Sequence, residues 1–286
     1  MPVSGIRNPL RSTAILGSRE DINVRIDEHI AAIDREGRRL ADAARCAGLD
    51  APVPPCPGWD TRELLRHLGL IHLWAASHVA FPHEQPRLGN EAAQREFTGS
   101  FWPDLGVFWV DDAQLIDWYL ATNANLIEAL ESASPDVDAW TFLPAPSPLA
   151  MWARRQAHET AIHRYDAESA ADDRGGFEPM FASDGIDEIL CGMTTQRRLD
   201  IPVPEPQAML VNAIDTDRQW LTTFESDVVT TVAADGPADV TVAGGASDVY
   251  LVLWNRIDDS NVGVSGDRNV LDTWHRTFRV RWYQNG

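Results

Sequence analysis

The sequence predicts a two-domain α plus α/β architecture, with a four-helix bundle over residues 22–172 and a small α+β domain over residues 183–286. In the first part, apolar residues recur with the spacing of amphipathic helices. In the second part, short runs rich in β-branched residues alternate with helical segments. Between the two parts lie a glycine pair at residues 175–176 and a proline-alternating segment at residues 201–206, which are typical of a domain boundary.

Four apolar stripes predict the helices of the bundle. Residues up to about Asp21 lack such a stripe, and we expect them to form a loose arm. Prolines end the first helix, and the second opens at Asp60, whose spacing to Glu63 is that of a capping box. A long irregular connection at residues 82–110 precedes the third helix. The predicted helices cover residues 22–47, 61–79, 111–131 and 149–170.

The second domain is predicted to combine helices with short strands. A helix over residues 184–199 leads into the proline-alternating segment. A helix over residues 246–256 is expected between the fourth and fifth strands, and a last helix over residues 269–277. The predicted strands cover residues 208–213, 219–224, 228–233, 240–242 and 262–264.

The charge of the chain excludes several function classes. Its formal net charge of −19 argues against binding to nucleic acid or to an anionic membrane surface, both of which need clustered cations. All 24 basic residues are Arg, and the chain contains no Lys. A Schiff-base lysine and a phosphate-loop lysine are therefore ruled out, which argues against pyridoxal-phosphate and phosphoryl-transfer enzymes.

Three cysteines, Cys46, Cys56 and Cys191, are too scattered for a zinc ribbon or a redox pair. An odd number of cysteines without an apolar signal segment indicates a reducing compartment, and we expect a cytoplasmic protein. Cys56 stands among prolines and could be exposed, although a small residue packed in a loop is the favoured interpretation.

Glu159 and His163 are four residues apart on a predicted helix and therefore share one face. A carboxylate and an imidazole at this spacing can bind one divalent metal ion, and His67 on the second helix could supply a third ligand. The spacing alone equally fits a solvated pair or a buried hydrogen-bonded pair. His158 and His163 do not form a zinc-protease motif, which has two histidines four residues apart. They are five residues apart and therefore point about 140° away from each other on a helix.

Several motifs resemble those of the mycothiol-dependent maleylpyruvate isomerase family. They follow one another in that family's order and span residues 22–274, nearly the whole chain. In the first domain they are PCPGWD at residues 55–60, LLRHLG at 64–69 and AHETAIHRYDAE at 157–168, and in the second GASDVYLVLWNR at 245–256 and VSGD at 264–267. The resemblance implies a DinB-like four-helix bundle followed by a domain related to sterol-carrier folds.

The resemblance also implies a metal site and a reaction class. The positions that match the family's ligands are His67, Glu159 and His163. Two imidazoles and one carboxylate with an open fourth position are typical of catalytic zinc. A thiol bound there, supplied by mycothiol, would be deprotonated and could act as the nucleophile of an S-transferase or isomerase on a small electrophilic metabolite.

Two alternatives stay open. The same metal could activate hydroxide for hydrolysis, or it could be structural in a protein that binds a small molecule without catalysis. No catalytic residue beyond the metal ligands is assigned, and the expected partners are a small-molecule substrate and a low-molecular-weight thiol.

Residues around the ligands are expected to support them or to pack. Asp166 could orient His163 through a hydrogen bond, or it could be an exposed acid paired with an arginine. His72 and His158 are expected to pack or to support the ligands, and Arg164 to pair with surface carboxylates. The second domain is expected to close over the bundle and hold thiol or substrate. Its candidate anion-binding residues are Arg256, Arg276 and Arg279.

Overall fold

The computed structural model describes residues 25–82, 99–100, 102–105, 110–194, 205–225 and 228–278. The predicted loose arm, most of the irregular connection and most of the proline-alternating segment lie outside the described residues, as does Arg279. Among the described helices, none combines the length and apolar character needed to cross a lipid bilayer.

The four predicted helices of the first part are present with shifts of a few residues at their ends. They are α1 Ile26–Ala47, α2 Thr61–Ala80, α3 Asp112–Ser132 and α4 Pro148–Ala170. The predicted capping box of α2 is formed, because the Asp60 side chain accepts from the Glu63 backbone and the Glu63 side chain accepts from the Asp60 backbone. Helix α4 begins after Ser147, whose side chain accepts from the Ala150 backbone.

The next helix starts five residues earlier than the sequence predicted. Helix α5, Pro179–Asp187, begins where the Glu178 side chain accepts from the Phe181 backbone and where proline occupies the first turn. It continues into a π-helical turn, Glu188–Met193. Such turns are rare and occur frequently at functional sites.

A five-stranded mixed sheet follows. Its strands are β1 Gln207–Ala213, β2 Arg218–Phe224, β3 Val229–Val232, β4 Val240–Gly244 and β5 Gly263–Gly266, in the order β3-β2-β1-β4-β5. The central strand β1 pairs antiparallel with β2 and parallel with β4. Helices α6, Ala246–Leu253, and α7, Arg268–Thr277, flank β5 in the chain.

Helix α6 ends three residues before its predicted end. The chain turns at Asn255, which adopts a left-handed φ of 57°. The Asn255 side chain donates to the Phe278 carbonyl at 2.7 Å and bonds to His275. This turn directs Arg256 toward α4, where it reaches Asp166.

The buried core runs from the bundle into the sheet. One cluster of buried apolar side chains includes Trp152 and Ile162 of α4, Val211 and Trp220 of the sheet, and Tyr250 of α6. A second cluster joins α1, α2 and α3 at the other end of the bundle. Helix α4 therefore packs against helices of both parts, and its polar residues are positioned by both.

Candidate metal centre

Three side chains from two helices of the bundle converge on one point. His67 lies in the second turn of α2, whereas Glu159 and His163 lie one turn apart on α4. Oε1 of Glu159 is 3.7 Å from Nε2 of His67 and 3.4 Å from Nε2 of His163. One ligand atom from each residue lies within 4.8 Å of the other two. The structure therefore brings together the three residues that the sequence singled out.

These distances fit one small divalent cation. Zinc bonds about 2.0–2.1 Å long in a tetrahedral site separate neighbouring ligand atoms by about 3.3–3.5 Å. The two nitrogen–oxygen separations of 3.4 and 3.7 Å are close to that range. Two imidazoles and one carboxylate are also the donor set of one class of catalytic zinc site. The donor set and its spacing fit a metal, and binding itself stays a prediction.

Glu159 is held from behind by an arginine. Nη2 of Arg155, one turn earlier on α4, donates to Oε2 of Glu159 at 2.5 Å. Burial by itself would raise the pKa of Glu159, but the Arg155 charge and the two histidines hold that pKa well below its usual range. The carboxylate is therefore ionised and ready to bind a cation through Oε1.

His163 is oriented by a buried carboxylate. Its Nδ1 donates to Oδ2 of Asp166 at 2.9 Å, which leaves Nε2 facing the other two ligands. Nε and Nη2 of Arg256 donate to Asp166 at 2.6 and 3.0 Å. Burial disfavours a charged imidazole, but the hydrogen bonds with Asp166, Cys56 and Glu159 and the charge of Glu159 together outweigh it and hold the pKa of His163 well above its usual range. Asp166 thus orients His163; it also pairs with an arginine, but it is buried and not exposed.

Cys56 completes this support. Its Sγ is fully buried and donates to Oδ2 of Asp166 at 3.3 Å. Burial raises the pKa of the Cys56 thiol, and the negative charge of Asp166 raises it further. The favoured interpretation of Cys56 as a packed residue agrees with this burial, although no sequence pattern indicated its contact with Asp166.

The accessible side of the cluster lies at His67 and Glu159. Their side chains are 24% and 15% exposed, whereas that of His163 is fully buried. The Trp59 ring covers part of His67, with ring centroids 4.9 Å apart. Burial lowers the pKa of His67, which favours the neutral imidazole that a metal requires. These two side chains are therefore the part of the cluster nearest to solvent, although Nε2 of His67 is itself buried.

Two other residues singled out in the sequence are structural. Arg164 is fully buried, so the expectation of surface pairing is wrong; its Nε donates to Glu36 and its Nη1 to Glu168, at 2.8 and 2.6 Å. His72 lies 3.0 Å from the Thr160 hydroxyl, and burial lowers its pKa to about 3. His72 therefore packs as a neutral side chain between α2 and α4.

The candidate anion-binding arginines have different surroundings. Nε and Nη2 of Arg256 donate to Asp166, and its Nη1 donates to the Trp254 carbonyl. These nitrogens therefore bind groups of the protein and not an external anion. Arg276 is exposed on α7. Arg279 lies outside the described residues.

A second group of three potential ligands lies beside the first. Nε2 atoms of His29 and His158 are 3.0 and 2.8 Å from Oδ2 of Asp184, and all three residues are buried. Nε of Arg154 donates to the same oxygen at 3.0 Å. The arginine already neutralises the carboxylate, and both imidazoles donate to it, so this group is a buried polar network. The Tyr250 hydroxyl extends it to α6, 3.3 Å from Nδ1 of His158.

Comparison with protein-family models gives two matches. Residues 30–168 match the mycothiol maleylpyruvate isomerase N-terminal domain. Residues 180–273 match the C-terminal domain of the same family. No curated protein matches the sequence.

Among solved structures, the crystal structure of the mycothiol-dependent maleylpyruvate isomerase aligns with a TM-score of 0.54 at 16% identity. The alignment covers 85% of this chain and 93% of that chain. A histidine-to-alanine mutant of that isomerase gives a TM-score of 0.54 at 15% identity, with the same coverage. These structures share the fold of helical bundle and mixed sheet. Because the two family models together match well over half of the sequence, the chain belongs to the mycothiol-dependent maleylpyruvate isomerase family.

Proposed function

We propose that this protein is a metal-dependent enzyme that uses mycothiol as a thiol cosubstrate and isomerises, or transfers the thiol to, a small electrophilic metabolite. The observation that carries the proposal is the convergence of His67, Glu159 and His163 in a member of this family. The solved structure that shares the fold is named a mycothiol-dependent maleylpyruvate isomerase. Cis–trans isomerisation of maleylpyruvate is therefore the first reaction to test.

The chain's own residues prepare the site for this chemistry. When bound, a divalent cation would supply positive charge that lowers the pKa of an incoming thiol. Asp166 accepts the Nδ1 proton of His163 and so directs Nε2 toward the other two side chains, where a bound cation would replace the proton that the raised pKa of His163 places on Nε2. Arg155 holds Glu159 ionised and in place. His67 and Glu159 are the partly exposed members of the cluster, and a small molecule is expected to reach the cation from their side.

The nucleophile is expected to come from outside the protein. The chain has no Lys that could form a covalent intermediate. Cys56, the cysteine that belongs to the network around His163, is fully buried with a raised pKa and donates its proton to Asp166. A buried thiol of this kind is a poor nucleophile, because the reactive species is the thiolate. An external thiol fits the open side of the cluster better.

Metal analysis tests the ligand set. The wild-type protein should contain one divalent metal ion per chain, and His163→Ala should lose it. His78→Ala is the matched control, because His78 is a buried histidine of α2 that lies outside the three-residue cluster. Stoichiometric metal in His163→Ala would overturn the proposed site.

The thiol role can be tested on cobalt-substituted protein. Adding mycothiol should produce a sulfur-to-cobalt charge-transfer band, and protein with mycothiol should consume maleylpyruvate or another electrophile from a panel followed by mass spectrometry. If no band appears at saturating mycothiol while ester or amide substrates are hydrolysed, the thiol proposal fails. Hydroxide chemistry at the same three ligands would then take its place.

A further inference from the structure

Arg155 lies between two carboxylates, one of which is the predicted metal ligand Glu159. Its side chain is 5% exposed, and its two terminal nitrogens point to different partners. Nη2 donates to Oε2 of Glu159, and Nη1 donates to Oε2 of Glu188. Nη1 also lies 3.8 Å from the Met193 sulfur. The guanidinium therefore bridges α4 to the π-helical turn that starts at Glu188.

The bridge divides the two oxygens of Glu159 between separate tasks. Oε1 is the oxygen that faces the two histidines, at 3.7 Å from Nε2 of His67 and 3.4 Å from Nε2 of His163. Oε2 is occupied by the arginine. A carboxylate whose second oxygen accepts a charge-assisted hydrogen bond is fixed as a one-oxygen ligand. Without that bond, both oxygens of Glu159 could turn toward a cation.

Glu188 has no comparable task of its own. It is 2% exposed, and within the described residues its Oε1 has no hydrogen-bond partner. A buried carboxylate with an unsatisfied oxygen costs free energy, so its place in the fold calls for a compensating role. Glu188 accepts a charge-assisted hydrogen bond from Arg155. The position of Glu188 in a π-helical turn also supports a functional role, because such turns are enriched at functional sites.

We propose that Arg155 is a positioning residue that restricts Glu159 to one coordinating oxygen, and that Glu188 acts on the metal site only through Arg155. The proposal rests on the proposed function, because it requires a divalent cation on His67, Glu159 and His163. One-oxygen coordination keeps three protein ligands around the cation and preserves the open fourth position that an incoming thiol needs.

The decisive variant replaces Arg155 and Glu188 together. Arg155→Gln combined with Glu188→Gln removes one positive and one negative charge, so the net charge near the cation is unchanged while the hold on Glu159 is lost. Zinc affinity is measured by competition with a chelator, and the coordination number is read from the d–d absorption of cobalt-substituted protein. We expect zinc affinity to fall about 10- to 100-fold. We also expect the cobalt band to weaken, as it does when a tetrahedral centre gains a fifth or sixth ligand atom.

Two further variants separate positioning from folding. Arg154→Gln changes the neighbouring arginine, which pairs with Asp184 and Asp187 instead, and it should leave zinc affinity and the cobalt spectrum unchanged. Arg155→Lys keeps the charge but lacks the planar fork that spans two carboxylates. It should give a loss between those of the wild type and the double variant, and it can be read even if the double variant does not fold.

Wild-type affinity and spectrum in both Arg155→Lys and the double variant would overturn the positioning role. Comparing Arg155→Gln with the double variant tests whether Glu188 acts only through Arg155. If it does, the two variants should have the same cobalt spectrum. An additional spectral change would show that Glu188 acts independently and would overturn that half of the proposal. If the wild-type protein itself binds neither zinc nor cobalt, the proposed function fails first and the positioning role falls with it.

Discussion

His158 and Glu159 are adjacent on α4 and serve two different polar clusters. Successive helix residues are rotated by about 100°, so one side chain points toward Asp184 and the other toward His67. The i, i+4 spacing that predicted Glu159 and His163 as neighbours also holds for Arg155 and Glu159. Local helix geometry therefore made part of the site predictable from the sequence.

Other parts of the site could not be predicted at this scale. Glu188 and Arg256 meet their partners across 33 and 90 residues of chain, respectively. No local pattern marks them, because their partners are set by how α4 packs against the second part. Arg164 illustrates the same limit. A charged residue on a helix is usually exposed, and only the tertiary contacts with Glu36 and Glu168 explain its burial.

His78 is predicted to make stability depend on pH. It is buried among aromatic rings, stacking on Trp152 at 4.8 Å and lying edge-on to Trp74 at 5.2 Å, and burial lowers its pKa to about 4. The unfolded chain protonates this histidine below about pH 6.5, whereas the folded protein does so only near pH 4. The unfolded state therefore binds more protons in this window, and stability falls with decreasing pH by up to about 1.4 kcal/mol per pH unit.

Urea denaturation between pH 4 and pH 8 measures this effect against His78→Phe. The stability difference between variant and wild type should be constant above about pH 6.5 and should shift in favour of the variant as the pH falls toward 4. A difference that is the same at every pH would contradict the assignment.

Among the elements, the long helices were the most predictable. Helices α1 and α3 bury an apolar face, α4 is buried nearly all round, and two of the helix starts carry local signals, the Asp60 capping box and the Ser147 cap. The strands were also placed to within about two residues, and β2 and β4 alternate buried and less buried positions. The π-helical turn was not predictable, because the sequence pattern there is that of an ordinary helix; its first residue, Glu188, contacts Arg155 across 33 residues of chain.

The capping box of α2 gives a prediction at this scale. Asp60→Ala removes the acceptor for the Glu63 backbone and should lower the free energy of unfolding by about 1 kcal/mol. Asp60→Asn retains a capping oxygen and should cost only a few tenths of that amount. Chemical denaturation at neutral pH compares the two. Equal losses in both variants would mean that the charge of Asp60, which also accepts from Arg62, matters more than the cap.

At the scale of the whole molecule, two of the three predicted ligands are supported from outside the bundle. His163 is held by Asp166 and through it by Arg256, which follows α6. Glu159 is held by Arg155 and through it by Glu188. The division into domains at residues 22–172 and 183–286 stays a prediction. The buried core continues across that boundary, which the change in sequence pattern did not indicate.

The network around Asp184 should couple the two parts in folding. Asp184→Asn removes the charge that pairs with Arg154 and accepts from His29 and His158, so it should lower stability by about 2–4 kcal/mol. Unfolding followed by far-ultraviolet circular dichroism and by tryptophan fluorescence should shift together. Asp34→Asn, in an exposed pair with Arg38, should change stability by less than about 0.5 kcal/mol. An Asp184→Asn protein as stable as this control would contradict the coupling.

The support that Arg256 and Glu188 give to α4 also bears on how such a protein can change over evolutionary time. The three predicted ligands all lie on the first four helices, and a bundle exchanged between relatives would carry them along, together with Asp166 and Arg155. It would leave behind Arg256 and Glu188, which hold Asp166 and Arg155 in position. A chimaera of two family members would therefore take the three predicted ligands from one parent, and the residues at positions 188 and 256 from the other. Substitutions in α4, in the π-helical turn and at the end of α6 are thus expected to be accepted together, as a linked set.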